Sequence, residues 1–262
     1  YKYLYESVNK IFKAVPELGG MINITHGERE TTCLSAVDCT SDYKERIKCP
    51  RCAGKKPWKI LEATLIPMEK GMHDAAPQAE LISWLYMPQP QRFMTGDAYS
   101  LADWVYDLPA HSPDKVILQF NFESGVSRTE FGKLLVGGDY WISEPGPSDR
   151  FIKIANAARI HGTRASAKIQ TGNSHETATV PYVPVPSLLY RKFRAMRTLG
   201  VSHTMLCWYF GNYPGLMNKA AGILSMEPFP ESEELCLDQL ASLYWKKEDI
   251  TKSNYSSSYD LT

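Results

Sequence analysis

The sequence predicts an α/β fold, a (β/α)₈ barrel of the TIM type that lacks its first strand or strands in this chain. Short apolar runs alternate with helical patterns, which is typical of a parallel sheet. The 262 residues match the roughly 250 that such a barrel needs, but the strands fall short of eight and the chain opens in a helix. An open parallel α/β sheet is the alternative, weakened because no Gly-x-Gly-x-x-Gly turn follows the first strand.

The elements follow from residue periodicity. Short apolar runs predict strands at residues 21–25, 79–87, 115–122, 137–143, 165–170 and 204–210. Apolar positions at helical spacing predict helices at residues 2–15, 57–70, 101–108, 149–160, 186–199, 217–223 and 231–245. Ser148 or Asp149 is the expected N-cap of the fourth helix. No tight hairpin signal such as Asn-Gly separates the strands, which favours parallel pairing.

One domain is predicted at residues 1–248, with a Cys-rich insertion loop at 30–55 and a flexible polar tail at 249–262. Lys plus Arg and Asp plus Glu balance at 29 each, so no basic field favours nucleic acid. No apolar run reaches the roughly 20 residues of a membrane span. We therefore expect a soluble protein, either cytoplasmic or exported. Because the first residue is not Met, we expect either that the start has been removed by processing or that the chain is a fragment. Because the strands fall short of eight, an N-terminal segment of the same protein is expected to complete the barrel.

Acidic side chains stand at or just beyond four predicted strand ends, at Glu28, Glu123, Glu144 and Glu176. In a barrel these ends converge, so such side chains become neighbours. Glycoside hydrolysis commonly needs two carboxyl groups, one to donate a proton and one as nucleophile or base. We choose Glu28 and Glu176 as the catalytic pair, with Glu123 as a third catalytic candidate. A solvated loop carboxylate is the competing interpretation of each.

Polar and aromatic residues near the same strand ends are candidates for binding sugar. Histidines and amides can hydrogen-bond hydroxyl groups, and aromatic rings offer apolar faces. The substrate-binding candidates are His26, Trp84, Asn121, Tyr140, Asn173, His175, Trp208 and Tyr213. For the tryptophans within strands, a place in the barrel core is the favoured interpretation, and for the histidines a structural role at the surface is the alternative.

The insertion loop carries clustered cysteines, Cys33, Cys39, Cys49 and Cys52. The Cys-x₂-Cys knuckle at the end of the cluster is a local zinc element, and the other two thiols could complete a four-thiolate site. The spacing of the first pair is irregular, so disulfides compete with a structural zinc. Either would fasten the loop, and no cofactor is expected to be required for catalysis.

Several motifs together resemble a group of bacterial glycoside-hydrolase-like (β/α)₈ proteins, distantly related to glycoside hydrolase family 20. The resemblance covers most of residues 5–230. Its motifs are Gly19-Gly20 with His26-Gly27-Glu28, Thr32-Cys33, Cys49-Pro50-Arg51-Cys52, 139–143 with Gly146-Pro147, 173–176, 180–184 and 208–214. It implies a barrel fold and a carbohydrate substrate, and its members generally carry a further N-terminal portion.

The chain departs from family 20 at one decisive position. Hexosaminidases of that family place adjacent Asp and Glu at a strand end, the Asp orienting a substrate acetamido group, whereas Gly27 precedes Glu28 here. A second enzyme carboxylate is then needed, and the chain offers Glu176 or, alternatively, Glu123. The sequence thus predicts a glycosidase cleaving an oligosaccharide or glycan with a Glu/Glu pair. The alternative is a non-catalytic carbohydrate-binding barrel, and a zinc-dependent hydrolase ranks below both.

Overall fold

The computed structural model describes residues 1–27, 32–37, 47–86, 102–137, 141–172, 174, 183–206 and 215–246. These residues form two compact units. The first lies within Tyr1–Asp139, Gly146–Ile169 and Met196–Met205, and the second within Tyr140–Pro145, Gln170–Ala195 and Leu206–Thr262. Among the described helices, none is both long and apolar enough to cross a membrane.

The helices and strands alternate along most of the chain. The first unit contains α1 (Lys2–Ala14), β1 (Gly20–His26), α2 (Pro57–His73), β2 (Glu80–Leu85), α3 (Asp103–Tyr106), β3 (Val116–Asn121), β4 (Ser127–Glu130), β5 (Lys133–Val136), α4 (Asp149–His161) and β6 (Ala165–Ile169). Two 3₁₀ helices lie at Cys33–Ala36 and Leu108–His111. Helix α5 (Pro186–Thr198) and β7 (His203–Leu206) contribute residues to both units, and α6 (Leu216–Ser225) and α7 (Glu233–Ser242) belong to the second.

The main sheet has the strand order β1-β2-β3-β6-β7, and β4 pairs only with β5 in a separate antiparallel hairpin. The pairs β1–β2, β2–β3 and β3–β6 are parallel. Each strand of the main sheet lies beside the one that precedes it in the chain, apart from the hairpin. A doubly wound sheet instead reverses its order at a switch point. The sheet is therefore wound in one direction, an order that a barrel requires.

One ion cluster shows that the sheet is curled. Glu80 at the start of β2 accepts a hydrogen bond of 2.8 Å from Nε2 of His203 at the start of β7. In a flat sheet, three strand spacings would separate these two residues by roughly 14 Å. Their side chains and the bond between them span only about 12 Å even when fully extended. The strands must therefore curve toward the face that carries Glu80 and His203.

The middle of this sheet is buried on both faces. Every residue of β3 and of β6 is buried, as expected for parallel strands covered on both sides. Strand β1 lies at the edge of the sheet and is less covered, with Ile22 46% exposed. The core of the first unit therefore centres on β2, β3 and β6.

Capping residues fix both ends of helix α4. The Ser148 hydroxyl accepts a hydrogen bond of 3.2 Å from the backbone N–H of Phe151, which confirms Ser148 as the N-cap. Gly162 ends the helix in the left-handed region, with φ of 71°. The helix thereby brings Arg150 and Phe151 to the residues that follow β3.

The structure confirms most predicted elements within the residues it describes and corrects one. The strand predicted at 137–143 is wrong, because residues 137 and 141–143 have no strand structure. A hairpin occupies residues 127–136 instead, closed by the two-residue turn Phe131-Gly132. Both turn residues have positive φ, 50° and 73°. The turn was missed because Phe is not a turn-forming residue.

Candidate functional site

Three of the predicted substrate-binding residues are linked at the C-terminal ends of β1, β2 and β3. The backbone N–H of Tyr86 donates to the carbonyl of His26 at 2.9 Å. The Tyr86 carbonyl in turn accepts from Nδ2 of Asn121 at 2.8 Å, and Oδ1 of Asn121 accepts from Nε1 of Trp84 at 3.1 Å. His26, Trp84 and Asn121 therefore form one connected network across three neighbouring strand ends, which we call the strand-end network.

His26 is the last residue of β1 and is almost fully buried. Its Nε2 lies 3.0 Å from the carbonyl oxygen of Val37. Because a carbonyl can only accept, Nε2 carries the hydrogen, and in the neutral ring Nδ1 is an acceptor. The Trp104 ring lies beside it, with the two centroids 6.0 Å apart. The histidine is thus fixed in orientation by the segment that contains Val37.

Trp84 and Asn121 are enclosed rather than solvent-facing. Trp84 is 1% exposed and Asn121 is 8% exposed. Trp84 therefore lies in the core, which is one of the two interpretations that the sequence allowed for it. Its indole edge is directed by Asn121, whose amide in turn is held by the Tyr86 backbone. These residues therefore lie beneath the surface at the C-terminal ends of the strands.

Glu123 lies two residues beyond β3 and is 1% exposed. The chain turns directly after it, with the Val126 N–H donating to the Glu123 carbonyl at 3.0 Å. Gly125 in this turn has φ of 92°, and a Cβ there would lie 2.8 Å from Cδ of Arg150. The turn therefore needs glycine both for its backbone angle and for room beside Arg150. Glu123 is held at the strand ends, but as a buried carboxyl.

A row of buried polar side chains on the same sheet face was not predicted. Gln119, Ser166 and Lys168 are all 0% exposed. Ser166 donates to Oε1 of Gln119 at 2.9 Å, and Gln119 donates to the sulfur of Met205 at 3.2 Å. Register pairs Trp84 with Gln119 and Asn121 with Lys168, which places these side chains on one face.

The signal for this row was present in the sequence. Strands covered on both faces are usually apolar throughout. Ser166, Lys168 and Gln170 instead alternate with apolar residues, as Gln119 and Asn121 do. Polar residues at every second position of two otherwise apolar strands indicate a polar face, which in a curled sheet is the inner one.

A small open pocket lies beside the strand-end network. It has about 280 Å³ of empty space, open solvent included, which is below the range of most small-molecule sites. Its lining is mostly apolar and comes from the ends of β2 and β3 and from α4: Leu85, Tyr86, Phe120, Asn121, Ser124, Arg150, Phe151 and Ile154. Of the predicted site residues that the structure describes, only Asn121 lines this pocket. The pocket by itself therefore does not form a sugar-binding cleft.

Part of the predicted site lies outside the described residues: Glu28, Cys39, Tyr140, Asn173, His175, Glu176, Trp208 and Tyr213. Their flanking segments in the second unit are described. Lys192 of α5 is fully buried and donates to the carbonyls of Gln170 at 3.3 Å and Trp141 at 3.4 Å. Ser174 accepts from the Ile142 N–H at 3.2 Å. Two segments that lead to predicted site residues are thus tied together by one lysine.

The described cysteines of the insertion loop come together as the sequence predicts. The sulfur atoms of Cys33, Cys49 and Cys52 all lie within 4.8 Å of one another, and each is a free thiol. Cys33 begins the 3₁₀ helix that Thr32 caps, and Cys49 and Cys52 flank a tight turn. This cluster could hold a metal ion.

The three thiols are not equivalent. Burial, together with hydrogen bonds to Cys52 and Cys49, raises the pKa of Cys33 to about 11. Hydrogen bonds hold the pKa of Cys49 below its usual value. The largest effect comes from the backbone N–H of Arg51, followed by the Cys33 thiol and then by the backbone N–H of Cys52. Cys49 therefore ionises before Cys33, and Cys33 donates the hydrogen bond between them.

Comparison of this chain with known families, characterised proteins and solved structures gave no match. The resemblance to (β/α)₈ glycoside hydrolases therefore stays a prediction from motifs. What the site can do is argued from its own residues, namely the strand-end network, the polar row and the thiol cluster.

Proposed function

We propose that the protein is a glycoside hydrolase that cleaves an oligosaccharide or a glycan. The supporting observation is the strand-end network, which joins His26, Trp84 and Asn121 at the C-terminal ends of three parallel strands. Parallel α/β enzymes build active sites at these ends. Glu28 follows His26 by two residues, and Glu123 follows Asn121 by two. A carboxyl group therefore comes two residues after each of the network's outer strands, β1 and β3.

In the proposed reaction, Glu28 donates a proton to the leaving oxygen as the bond from that oxygen to the anomeric carbon breaks. The Glu176 carboxylate attacks the same carbon and forms a covalent glycosyl ester. Glu28 then takes a proton from a water molecule, which displaces Glu176 and regenerates both carboxyl groups. The assignment of Glu28 and Glu176 rests on their places in the sequence.

The described residues support this chemistry by positioning. Asn121 uses one group of its amide to hold the Trp84 indole and the other to hold the backbone after β2. Because Glu123 is buried, its part in the proposal is to orient neighbouring groups rather than to exchange protons with solvent.

We also propose that the main sheet is part of a (β/α)₈ barrel. Its one-directional strand order and its curl toward the polar row support this. The partly exposed Ile22 on edge strand β1 supports completion of the sheet by further strands. The proposed reaction uses no metal, because both of its steps need only the Glu28 and Glu176 carboxyl groups and water.

The proposal is tested on a panel of glycans with the wild-type protein and with Glu28→Gln and Glu176→Gln. Each substitution is expected to abolish turnover while binding of the sugar persists. Glu17→Gln changes an exposed glutamate after α1 and serves as the matched control, with unchanged turnover.

Two results would count against the proposal. Sugar binding with no turnover by the wild-type protein would identify a non-catalytic carbohydrate-binding barrel. Full turnover by either glutamine variant would remove that residue from the catalytic pair.

A further inference from the structure

We propose that Cys33, Cys49 and Cys52 bind one Zn²⁺ ion, and that this ion sets the orientation of His26 through the 3₁₀ helix Cys33–Ala36. The metal site goes beyond the proposed glycosidase function and does not depend on it. Only the consequence for catalysis rests on that function, because His26 belongs to the strand-end network.

The geometry favours a shared metal ion over a disulfide. In a tetrahedral zinc site with Zn–S bonds of about 2.3 Å, the sulfur atoms stand about 3.8 Å apart. The three thiols already lie within 4.8 Å of one another, so small movements would complete the site. A disulfide would join only two of them and leave the third thiol beside the bond. Thiolates are soft ligands that select zinc over calcium or magnesium.

Backbone hydrogen bonds shape the two segments that supply the thiols. The N–H groups of Cys52 and Ala53 both donate to the Cys49 carbonyl, at 3.0 and 2.7 Å. Gly54 then leaves the turn with φ of 77°, a left-handed angle that suits glycine. This is the tight turn that a Cys-x₂-Cys knuckle needs to direct both sulfur atoms to one point.

Cys33 is held just as firmly from the other side. The Thr32 hydroxyl accepts from the Leu34 N–H at 3.2 Å, and the Ser35 hydroxyl accepts from the Thr32 N–H at 3.4 Å. This reciprocal pair fixes the first turn of the helix that Cys33 begins. Leu34 is completely buried, which anchors the same turn in the core. Three protein thiolates leave one coordination position, which a water molecule or a fourth side chain fills.

The link to the strand-end network passes through Val37. The Val37 N–H donates to the Leu34 carbonyl at 2.8 Å, and the Val37 carbonyl accepts from Nε2 of His26 at 3.0 Å. Cys33 at one end of this four-residue helix is a metal ligand, and the residue that caps the other end holds the histidine. The ion thus acts as a positioning group for His26. Binding releases the thiol protons to solvent.

Metal content is the first measurement. Purified wild-type protein is expected to carry close to one equivalent of zinc, and Cys33→Ser and Cys52→Ser are expected to lose it. Cys236→Ala removes a buried thiol on α7 that lies outside the cluster, so it is the matched control and should keep the metal. A wild-type protein without zinc after growth with added Zn²⁺, or with these thiols oxidised to a disulfide, would overturn the proposal.

A second measurement needs no variant that might fail to fold. The wild-type protein is stripped with a chelator, and Zn²⁺ alone is then added back while alkylation of each cysteine is followed by peptide mass spectrometry. Zinc is expected to slow alkylation of Cys33, Cys49 and Cys52 at least tenfold and to leave Cys236 unchanged. Equal rates with and without zinc at all three thiols would show that they hold no ion.

The positioning role is read from the imidazole signals of the histidines in NMR spectra. His26 signals, assigned from His26→Gln, are expected to shift between the stripped and zinc-loaded protein. His203, at the opposite end of the sheet, should not shift. Zinc binding with unmoved His26 signals would leave the metal site standing and overturn its link to His26. Neither readout needs a substrate, so failure of the glycosidase proposal would not affect them.

Discussion

The two ends of the main sheet are built from different chemistry. At the N-terminal ends, the Glu80 carboxylate pairs with Arg164 at 2.6 Å and with His203 at 2.8 Å, and its side chain is 37% exposed. At the C-terminal ends, Trp84 and Asn121 meet in a buried amide–indole hydrogen bond. One end thus uses solvated charges and the other uses enclosed neutral groups.

The difference shows what each end can tolerate. Charges near solvent are screened and contribute little to stability individually. Removing one partner of a buried neutral hydrogen bond costs more stability, because the other partner is left without a hydrogen bond. In parallel barrels the N-terminal ends serve stability and the C-terminal ends serve function. Substitutions at the C-terminal ends should therefore cost more and should also affect activity.

Asn121→Ala tests this contrast with the largest expected effect. It removes two buried hydrogen bonds at once, to Trp84 and to the Tyr86 carbonyl, and should lower the free energy of unfolding by about 2–3 kcal/mol. Displacement of the Trp84 indole should also lower turnover at least about 100-fold. Urea unfolding and glycan hydrolysis measure the two effects.

Asn9→Ala is the matched control for that substitution. Asn9 is equally buried, at 8% exposed, and donates to the Gly71 carbonyl at 3.0 Å between α1 and α2. It should destabilise the protein without changing turnover by the folded fraction. Equal losses of activity in both variants would show that Asn121 acts only through stability.

Trp84→Phe should have the next largest effect. The ring is retained, but Oδ1 of Asn121 loses the indole donor and stays buried, which costs about 1–2 kcal/mol. Adding Asn121→Leu to Trp84→Phe should cost less than the sum of the single changes, because both polar partners are then gone. A double-mutant cycle from urea unfolding measures this. Strict additivity would contradict a direct bond between the two side chains.

Glu80→Gln probes the N-terminal ends and should be milder. Partial burial acts to raise the pKa of Glu80, but hydrogen bonds and charges from Arg164 and His203 outweigh it, so the pKa is lowered. The resulting stability is present above the unfolded pKa of about 4.3 and is lost as pH falls through the folded value.

At neutral pH the glutamine variant should therefore melt about 2–4 °C below wild type, corresponding to no more than about 1 kcal/mol. The gap in melting temperature should narrow as the pH falls below about 4.3. Turnover at neutral pH should not change. A gap that persists undiminished at low pH would show that the ion cluster is not its source.

Phe131→Asn should have the smallest effect, because Phe131 lies in the β4–β5 hairpin and at neither end of the main sheet. Phe131 is fully exposed at the tip of the β4–β5 hairpin and has φ of 50°, so it packs on nothing that the change would lose. Asn accepts this angle more readily and should stabilise the hairpin by about 0.5 kcal/mol. Slower amide exchange across residues 127–136 would show it, and faster exchange would mean that the ring has a stabilising contact.

Much of the fold could be predicted from the sequence because the signal is local. The apolar run of β3 and the capping serine of α4 each act within a few residues. The Cys-x₂-Cys knuckle is local as well, and it led to a cluster that the structure assembles.

The remaining features depend on contacts between distant residues or on an unusual local choice. The curl of the sheet rests on Glu80 and His203, which are 123 residues apart. Burial of Trp84 and its bond to Asn121 required strand register, which no single strand reveals. The hairpin was missed because Phe131 stands where Asn or Gly is usual. The catalytic pair of Glu28 and Glu176 stays a prediction.

The consecutive order of β1, β2 and β3 in the sheet has a consequence for synthesis of the protein on the ribosome. Each of these strands pairs with the strand made just before it, so the sheet can grow in step with elongation. By the time Asn121 has emerged, the strands that carry His26 and Trp84 are already available to pair with it. The strand-end network can thus assemble before the residues that follow β3 have been made.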